Sequence, residues 1–210
     1  MIYVQSFLRP EGIGGKEKYC LEHEAGLRLL SLALKDARGI QIENIHEQIA
    51  RDERGKPCLP AFPEVYFNIS HSWEMAVCAL GNSPVGADVE RIRQINVKLI
   101  RRILTDREKA FLETCPPKQQ NLEFFRIWTL KESLGKALGV GLGLDFRQAE
   151  FLLSPWKKEE SGKLVELDGV EWMDGRAEKE EWRFFQTVWE EEYVISCCTK
   201  EREEKLVRIS

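Results

Sequence analysis

Between residues 65 and 90 three short apolar runs follow one another with almost nothing between them. Residues 65–69 alternate in polarity, residues 74–80 form a second β-rich run, the turn-forming Gly81-Asn82-Ser83-Pro84 follows, and Val85-Gly86-Ala87-Asp88-Val89-Glu90 makes a third. Spacers this short imply antiparallel neighbours. Helical periodicity stands on either side. Residues 18–37 place Leu21, Ala25, Leu29, Leu32 and Ala33 at helical spacing, with Gly39 as the stop. Residues 95–113 read as a helix, Pro116-Pro117 breaks the pattern, and a further helix is expected over 121–138. Beyond it, residues 146–153, 165–167, 182–189 and 193–198 read as strands, several of them separated by glycine-bearing turns. Helices and antiparallel strands in separate runs make an α+β chain. The runs WEMAVCAL (73–80) and EEYVISCC (191–198) echo each other, each following an acidic turn, as the two halves of a duplicated unit would.

The chain has 210 residues, 43% of them hydrophobic and 31% charged, a soluble globular composition. Its net charge is −4, with the acidic excess after residue 158. Arg91, Arg93, Lys98, Arg101 and Arg102 stand in a stretch that contains no acid. A local basic patch on a mildly acidic protein argues against nucleic acid and suits an acidic partner or a phosphorylated ligand. The six cysteines form no C-x-x-C pair, so neither a zinc site nor a disulfide framework is expected, and no apolar run is long enough to span a membrane. A cytoplasmic location with reduced thiols is expected.

Three segments carry chemistry. On a strand, Asp88 and Glu90 project to the same face with Cα atoms roughly 7 Å apart. Such a pair suits a hard cation such as Mg²⁺, which accepts one or two carboxylates and completes its shell with water and phosphate; alone, it fits the wet face of an edge strand better. Phe67-Asn68-Ile69-Ser70-His71-Ser72-Trp73 joins two expected strands, and its hydroxyls and imidazole, placed where the chain reverses, suit a phosphate or merely the turn's own backbone. In the third segment, Glu132 and Lys136 lie four apart on one helix face, bracketed by Phe125, Trp128 and Leu138. If that face lines a cleft, Glu132 adds a carboxylate to the metal and Lys136 neutralises phosphate. Val140-Gly141-Leu142-Gly143 follows a helix and lacks the order of a phosphate-binding loop, so it reads as a helix stop and turn.

In this order and spacing, FNISHS (67–72), GADVE (86–90) and WTLKESLGK (128–136) resemble the F-N-x-S-H-S, G-x-D-x-E and W-[ST]-x-K-E-[AS]-x-x-K segments of the Sfp-type 4′-phosphopantetheinyl transferases. The resemblance covers residues 50–145. It implies two similar α+β halves related by pseudo-two-fold symmetry, here 1–100 and 101–210, with the active site between them. It also implies transfer of the 4′-phosphopantetheine arm of coenzyme A to a serine of an acyl or peptidyl carrier protein. Asp88, Glu90 and Glu132 would hold Mg²⁺. Glu132 would help deprotonate the serine, and Lys136 would act on the pyrophosphate. Ser70, His71, Lys56 and Lys131 would contact coenzyme A, together with Arg28 or, in its place, Lys16 or Lys18. Ala87 departs from the family's usual β-branched residue, which touches packing more than chemistry. The basic run 91–102 would steer an acidic carrier, and a chain holding both halves is expected to act as a monomer. A metal-dependent phosphohydrolase and a non-catalytic coenzyme A- or carrier-binding protein are the rival readings.

Overall fold

The computed structural model describes residues 1–140, 145–167, 170–172 (backbone only), 182–202 and 204–209. In chain order the elements are β1 (Ile2–Ser6), α1 (Gly15–Arg38), the single turn α2 (Ile45–Gln48), β2 (Ala50–Arg51), β3 (Pro57–Cys58), β4 (Tyr66–Ser72) and β5 (Met75–Gly81). Then follow β6 (Val85–Arg91), α3 (Val97–Ile103), α4 (Asp106–Thr114), α5 (Pro117–Leu138), β7 (Ala149–Phe151), β8 (Val165–Leu167), β9 (Val170–Trp172), β10 (Arg183–Trp189), β11 (Tyr193–Thr199) and β12 (Leu206–Arg208).

Two four-stranded sheets organise the molecule, one in the order β12-β1-β5-β4 and the other β6-β11-β10-β8. Their connectivity repeats: β1-α1-β4-β5 and β6-α5-β10-β11 each run strand, long helix and hairpin, with the last strand inserted antiparallel between the other two. The echo between residues 73–80 and 191–198 thus falls on equivalent strands, β5 and β11. Both long helices end alike, on glycines at positive φ, Gly39 at 67° and Gly139 at 69°, where the backbone N–H groups turn back to the last-turn carbonyls.

Period-two alternation assigns the faces. Met75, Val77 and Ala79 of β5 join Ala87, Val89, Ile195 and Cys197 in a core between the sheets, while Ala76, Cys78 and Leu80 face α1. On the far side Val194 and Cys198 of β11 pack with Ile127, Leu130 and Leu134 of α5. Strands β5 and β11 are therefore covered on both faces and fully buried.

Several sequence expectations change. β6 does not pair with β5, for its whole ladder runs along β11, from Val85 opposite Thr199 to Arg91 opposite Tyr193. A division at residue 100 would therefore strand β6 in the wrong half; the chain changes sheet at the turn before Val85, and β12 returns to the first sheet parallel to β1. The helix expected over 95–113 is two, because Thr105 starts a new one with a capping box to Glu108. Helix α5 begins earlier than expected, with Pro117 at its first turn, where a missing N–H costs nothing. Residues 146–153 hold a 3-10 turn, Phe146–Gln148, before the short strand β7. The turn expected at 141–143 lies outside the described residues.

Candidate active site

Strands β4 and β6 are edges of different sheets, and the polar half of FNISHS joins them. Asn68 Oδ1 accepts from Ala87 N–H at 2.8 Å, Ser70 Oγ from Val89 N–H at 3.3 Å, and Ser72 Oγ from Arg91 N–H at 3.2 Å. Every second side chain of β4 satisfies every second amide of β6, so side chains replace a backbone ladder. Ser70, His71 and Ser72 therefore lie on a strand and not in the expected reversal, which falls at Trp73 and Glu74. The signal was present as polar residues at period two, hidden by their turn-like types.

The same hydroxyls reach the carboxylates. Ser70 Oγ donates to Asp88 Oδ1 at 2.9 Å and Ser72 Oγ to Glu90 Oε2 at 3.2 Å, while Arg93 donates to the same Glu90 oxygen at 2.8 Å. Helix α5 supplies the rest of the cluster. Lys136 Nζ donates to Asp88 Oδ1 at 2.6 Å, to Ser70 Oγ at 2.9 Å and to Ala87 O at 3.1 Å. It can do so because α5 lies directly on β6 at Gly86, where an added Cβ would stand 2.0 Å from Ser133 O and 2.4 Å from Ala137 N. Lys56 ties the same two elements at their ends, donating to Val85 O at 2.9 Å and Ala137 O at 3.2 Å.

This leaves a surplus of negative charge. Burial holds the Asp88 carboxyl above the usual carboxylate range despite the pull of Lys136, and its Oδ2 is buried without a hydrogen-bond partner. Glu132, half-buried one turn before Lys136, is pushed up to about 7 by burial and then by the charges of Asp88 and Glu90, with Lys136 opposing. An orphaned buried oxygen beside a carboxyl that resists ionisation is what a site for a hard cation presents. Among the described residues no three His, Cys, Asp or Glu side chains already stand at ligating distance of one point. Two carboxylates with water and phosphate meet the needs of Mg²⁺, so the donor set fits that ion without an all-protein cage.

The other expected residues distribute differently. His71, whose burial lowers its basicity, lies 3.5 Å from Glu22 and lines a cavity of about 400 Å³ with Tyr19, His23, His46 and Arg51. All three histidines of the chain meet at this cavity, although His23 and His46 carry no motif. The sequence signal was their number alone, since nothing local links positions 23, 46 and 71. Arg28 is exposed on α1 and does not line the cavity; Arg51 does. Lys18 bonds to Glu22 at 3.6 Å, and Lys16 is exposed.

Lys131, expected to contact coenzyme A, is instead buried behind α5. It has no exposed surface, and its ammonium is occupied by Glu108 at 2.8 Å, Phe146 O at 2.6 Å and Ala149 O at 2.8 Å, so coenzyme A cannot reach it. It anchors α5 from behind, fixing the rotation that turns Glu132 and Lys136 towards β6. Lys131→Met should destabilise the fold by roughly 3–5 kcal/mol, because Glu108 and two carbonyls lose a buried partner; urea denaturation measures it, and a loss under 1 kcal/mol would refute the anchor.

The family model of the 4′-phosphopantetheinyl transferase superfamily matches residues 84–198. The chain is 31% identical over 142 residues to 4′-phosphopantetheinyl transferase Sfp of Bacillus subtilis, covering 66% of this chain and 63% of that protein. It is 40% identical over 106 residues to 4′-phosphopantetheinyl transferase gsp of Aneurinibacillus migulanus, covering 49% and 44%. It is 30% identical over 165 residues to the human L-aminoadipate-semialdehyde dehydrogenase-phosphopantetheinyl transferase, covering 72% and 52%. The matched part is under two thirds of each relative's own length.

Proposed function

The chain belongs to the 4′-phosphopantetheinyl transferase superfamily, and from that premise we propose that it transfers the 4′-phosphopantetheine arm of coenzyme A to a serine of an acyl or peptidyl carrier protein. Adenosine 3′,5′-bisphosphate is the second product. The observation that carries this reading is the cluster itself: Asp88 and Glu90 from one edge strand, Glu132 and Lys136 from the helix pressed on it, and an unpartnered Asp88 oxygen.

Asp88, Glu90 and Glu132 would hold Mg²⁺. Bound there, the ion supplies Lewis-acid stabilisation to the pyrophosphate. The chain's own residues do the rest. Glu132, the half-buried carboxylate on α5, takes the proton of the incoming serine directly or through water. The serine oxygen then bonds to the phosphorus that bears the pantetheine arm, and the bond from that phosphorus to the bridging oxygen breaks. Lys136, already at the cluster, offsets the charge left on the departing phosphate. The histidine-lined cavity suits the nucleotide end of coenzyme A, which brings a ring to stack and phosphates to neutralise.

The partner is a carrier with an acidic surface. Lys98, Arg101 and Arg102 are exposed on α3 and bear no ion pair among the described residues, which favours steering of such a surface. No described helix is long and apolar enough to cross a membrane. A cytoplasmic monomer is part of the same proposal: six free thiols suit a reducing compartment, and one chain supplies every residue of the cluster.

The test is the intact mass of an apo carrier protein after incubation with coenzyme A, with and without Mg²⁺. The expected result is a gain of one phosphopantetheine group that requires the metal. Hydrolysis of coenzyme A without a carrier would instead indicate a phosphohydrolase. Binding of coenzyme A with no product for any carrier would indicate a non-catalytic protein.

A further inference from the structure

The β4–β5 reversal holds an unusual residue. Trp73 sits at φ 58°, a left-handed conformation that few non-glycine residues adopt and bulky ones least readily, and the residue is 39% exposed. Three cations converge on its indole: Arg91 Cζ at 4.6 Å, Arg9 Cζ at 4.9 Å and Lys18 Nζ at 5.9 Å from the ring centroid. Two of them are matched, Arg91 by Glu192 at 3.2 Å and Lys18 by Glu22 at 3.6 Å. Arg9 is not: its Nη1 is buried and has no hydrogen-bond partner. Beside it opens a cavity of about 300 Å³ lined by Arg9, Glu11, Ile13, Trp73, Glu74 and Arg91. Neither Glu11 nor Glu74 pairs with Arg9 there. A strained aromatic and a guanidinium nitrogen buried without a partner, at the rim of one cavity, point to an absent anion.

The position identifies its source. Ser72 Oγ accepts from Arg91 N–H and donates to Glu90, so Trp73, just past the end of β4, and Arg91, the last residue of β6, lie next beyond the carboxylate cluster. In the transfer proposed above, coenzyme A brings its phosphates to that cluster, and the pantetheine arm beyond them is uncharged. An anion that arrives one residue farther out comes with the other substrate. We infer that Arg9, Trp73 and Arg91 form a clasp for an acidic side chain of the carrier protein, seated as the acceptor serine approaches Glu132.

The inference rests on the transferase reading and is tested beside it. Phosphopantetheine transfer is measured by intact mass for the wild type, Arg9→Gln and Trp73→Gly, varying carrier and coenzyme A separately; glycine suits the turn, so the second variant keeps its fold. Both variants should raise the KM for carrier at least about tenfold, with the KM for coenzyme A and kcat within about twofold. Arg9→Glu should lose more, and a carrier with one acidic residue near its serine changed to lysine should restore it. A rise in the KM for coenzyme A instead would assign the anion to the nucleotide and overturn the clasp. Unchanged kinetics in both variants would overturn it as well while leaving the transferase intact, whereas a wild type inactive on every carrier would overturn the transferase reading and the clasp together.

Discussion

Glu132→Gln should lower turnover for phosphopantetheine transfer on the order of a thousandfold while the protein stays folded. The side chain makes no hydrogen bond or ion pair among the described residues, so the near-isosteric amide disturbs no packing. On the proposed reading, what disappears is a carboxylate that would both take a proton and complete the metal's donor set. The folded-state proton affinity gives this prediction a second readout. Glu132 is raised from the usual 4.5 to about 7, so its ionisation works against folding. That penalty is absent below the ordinary value and complete above about 7. Without metal, the glutamine variant should therefore be at least as stable as the wild type at pH 8. A dication must displace the proton, so Mg²⁺ uptake by the wild type below pH 7 should release about one proton per ion and weaken as pH falls. The variant, left with Asp88 as the raised carboxyl of the cluster, should release less. Calorimetry in two buffers of different ionisation heat reads the difference, and turnover within a few-fold of the wild type would remove Glu132 from the cluster.

The parts of this site that lie on one element are legible in the sequence alone. Period two put Asp88 and Glu90 on one face of a strand, and a four-residue spacing put Glu132 and Lys136 on one face of a helix. Local chemistry carries more: Thr105 and Glu108 are a capping-box pair that announces the break between α3 and α4. What could not be read depends on partners distant in the chain. β6 resembles the third strand of a meander until its ladder is found along residues 193–199. Lys131 looks like another ligand-binding cation because its acceptors, Glu108 and two carbonyls after α5, are brought to it only by folding. The hydroxyls of Ser70 and Ser72 suggested a turn, since no local rule says that a neighbouring edge strand needs its amides satisfied by side chains.

Gly86→Ala should be as damaging as any single methyl added to this chain. The new carbon would meet backbone, Ser133 O at 2.0 Å, Ala137 N at 2.4 Å and Ala137 Cα at 3.0 Å, and backbone cannot swing aside as a side chain can. The strand is held by seven residue pairs with β11, so α5 is the element that moves. Lys136 lies between the two contacted residues and Glu132 just before them. Any retreat of α5 therefore carries Glu132 away from β6 with it and draws Lys136 off Asp88, breaking the 2.6 Å ion pair. Overpacking of this kind costs roughly 1–3 kcal/mol, and a displacement of about 1 Å in a catalytic group costs on the order of a hundredfold in rate. The two losses should appear together, as a lowered urea midpoint and a transfer rate down at least about a hundredfold in the fraction that stays folded. Gly15→Ala is the control, because Gly15 begins α1 with nothing within 4 Å of its added carbon and should be neutral or slightly stabilising. Wild-type stability and rate in Gly86→Ala would show that close approach of α5 to β6 is not what sets the site.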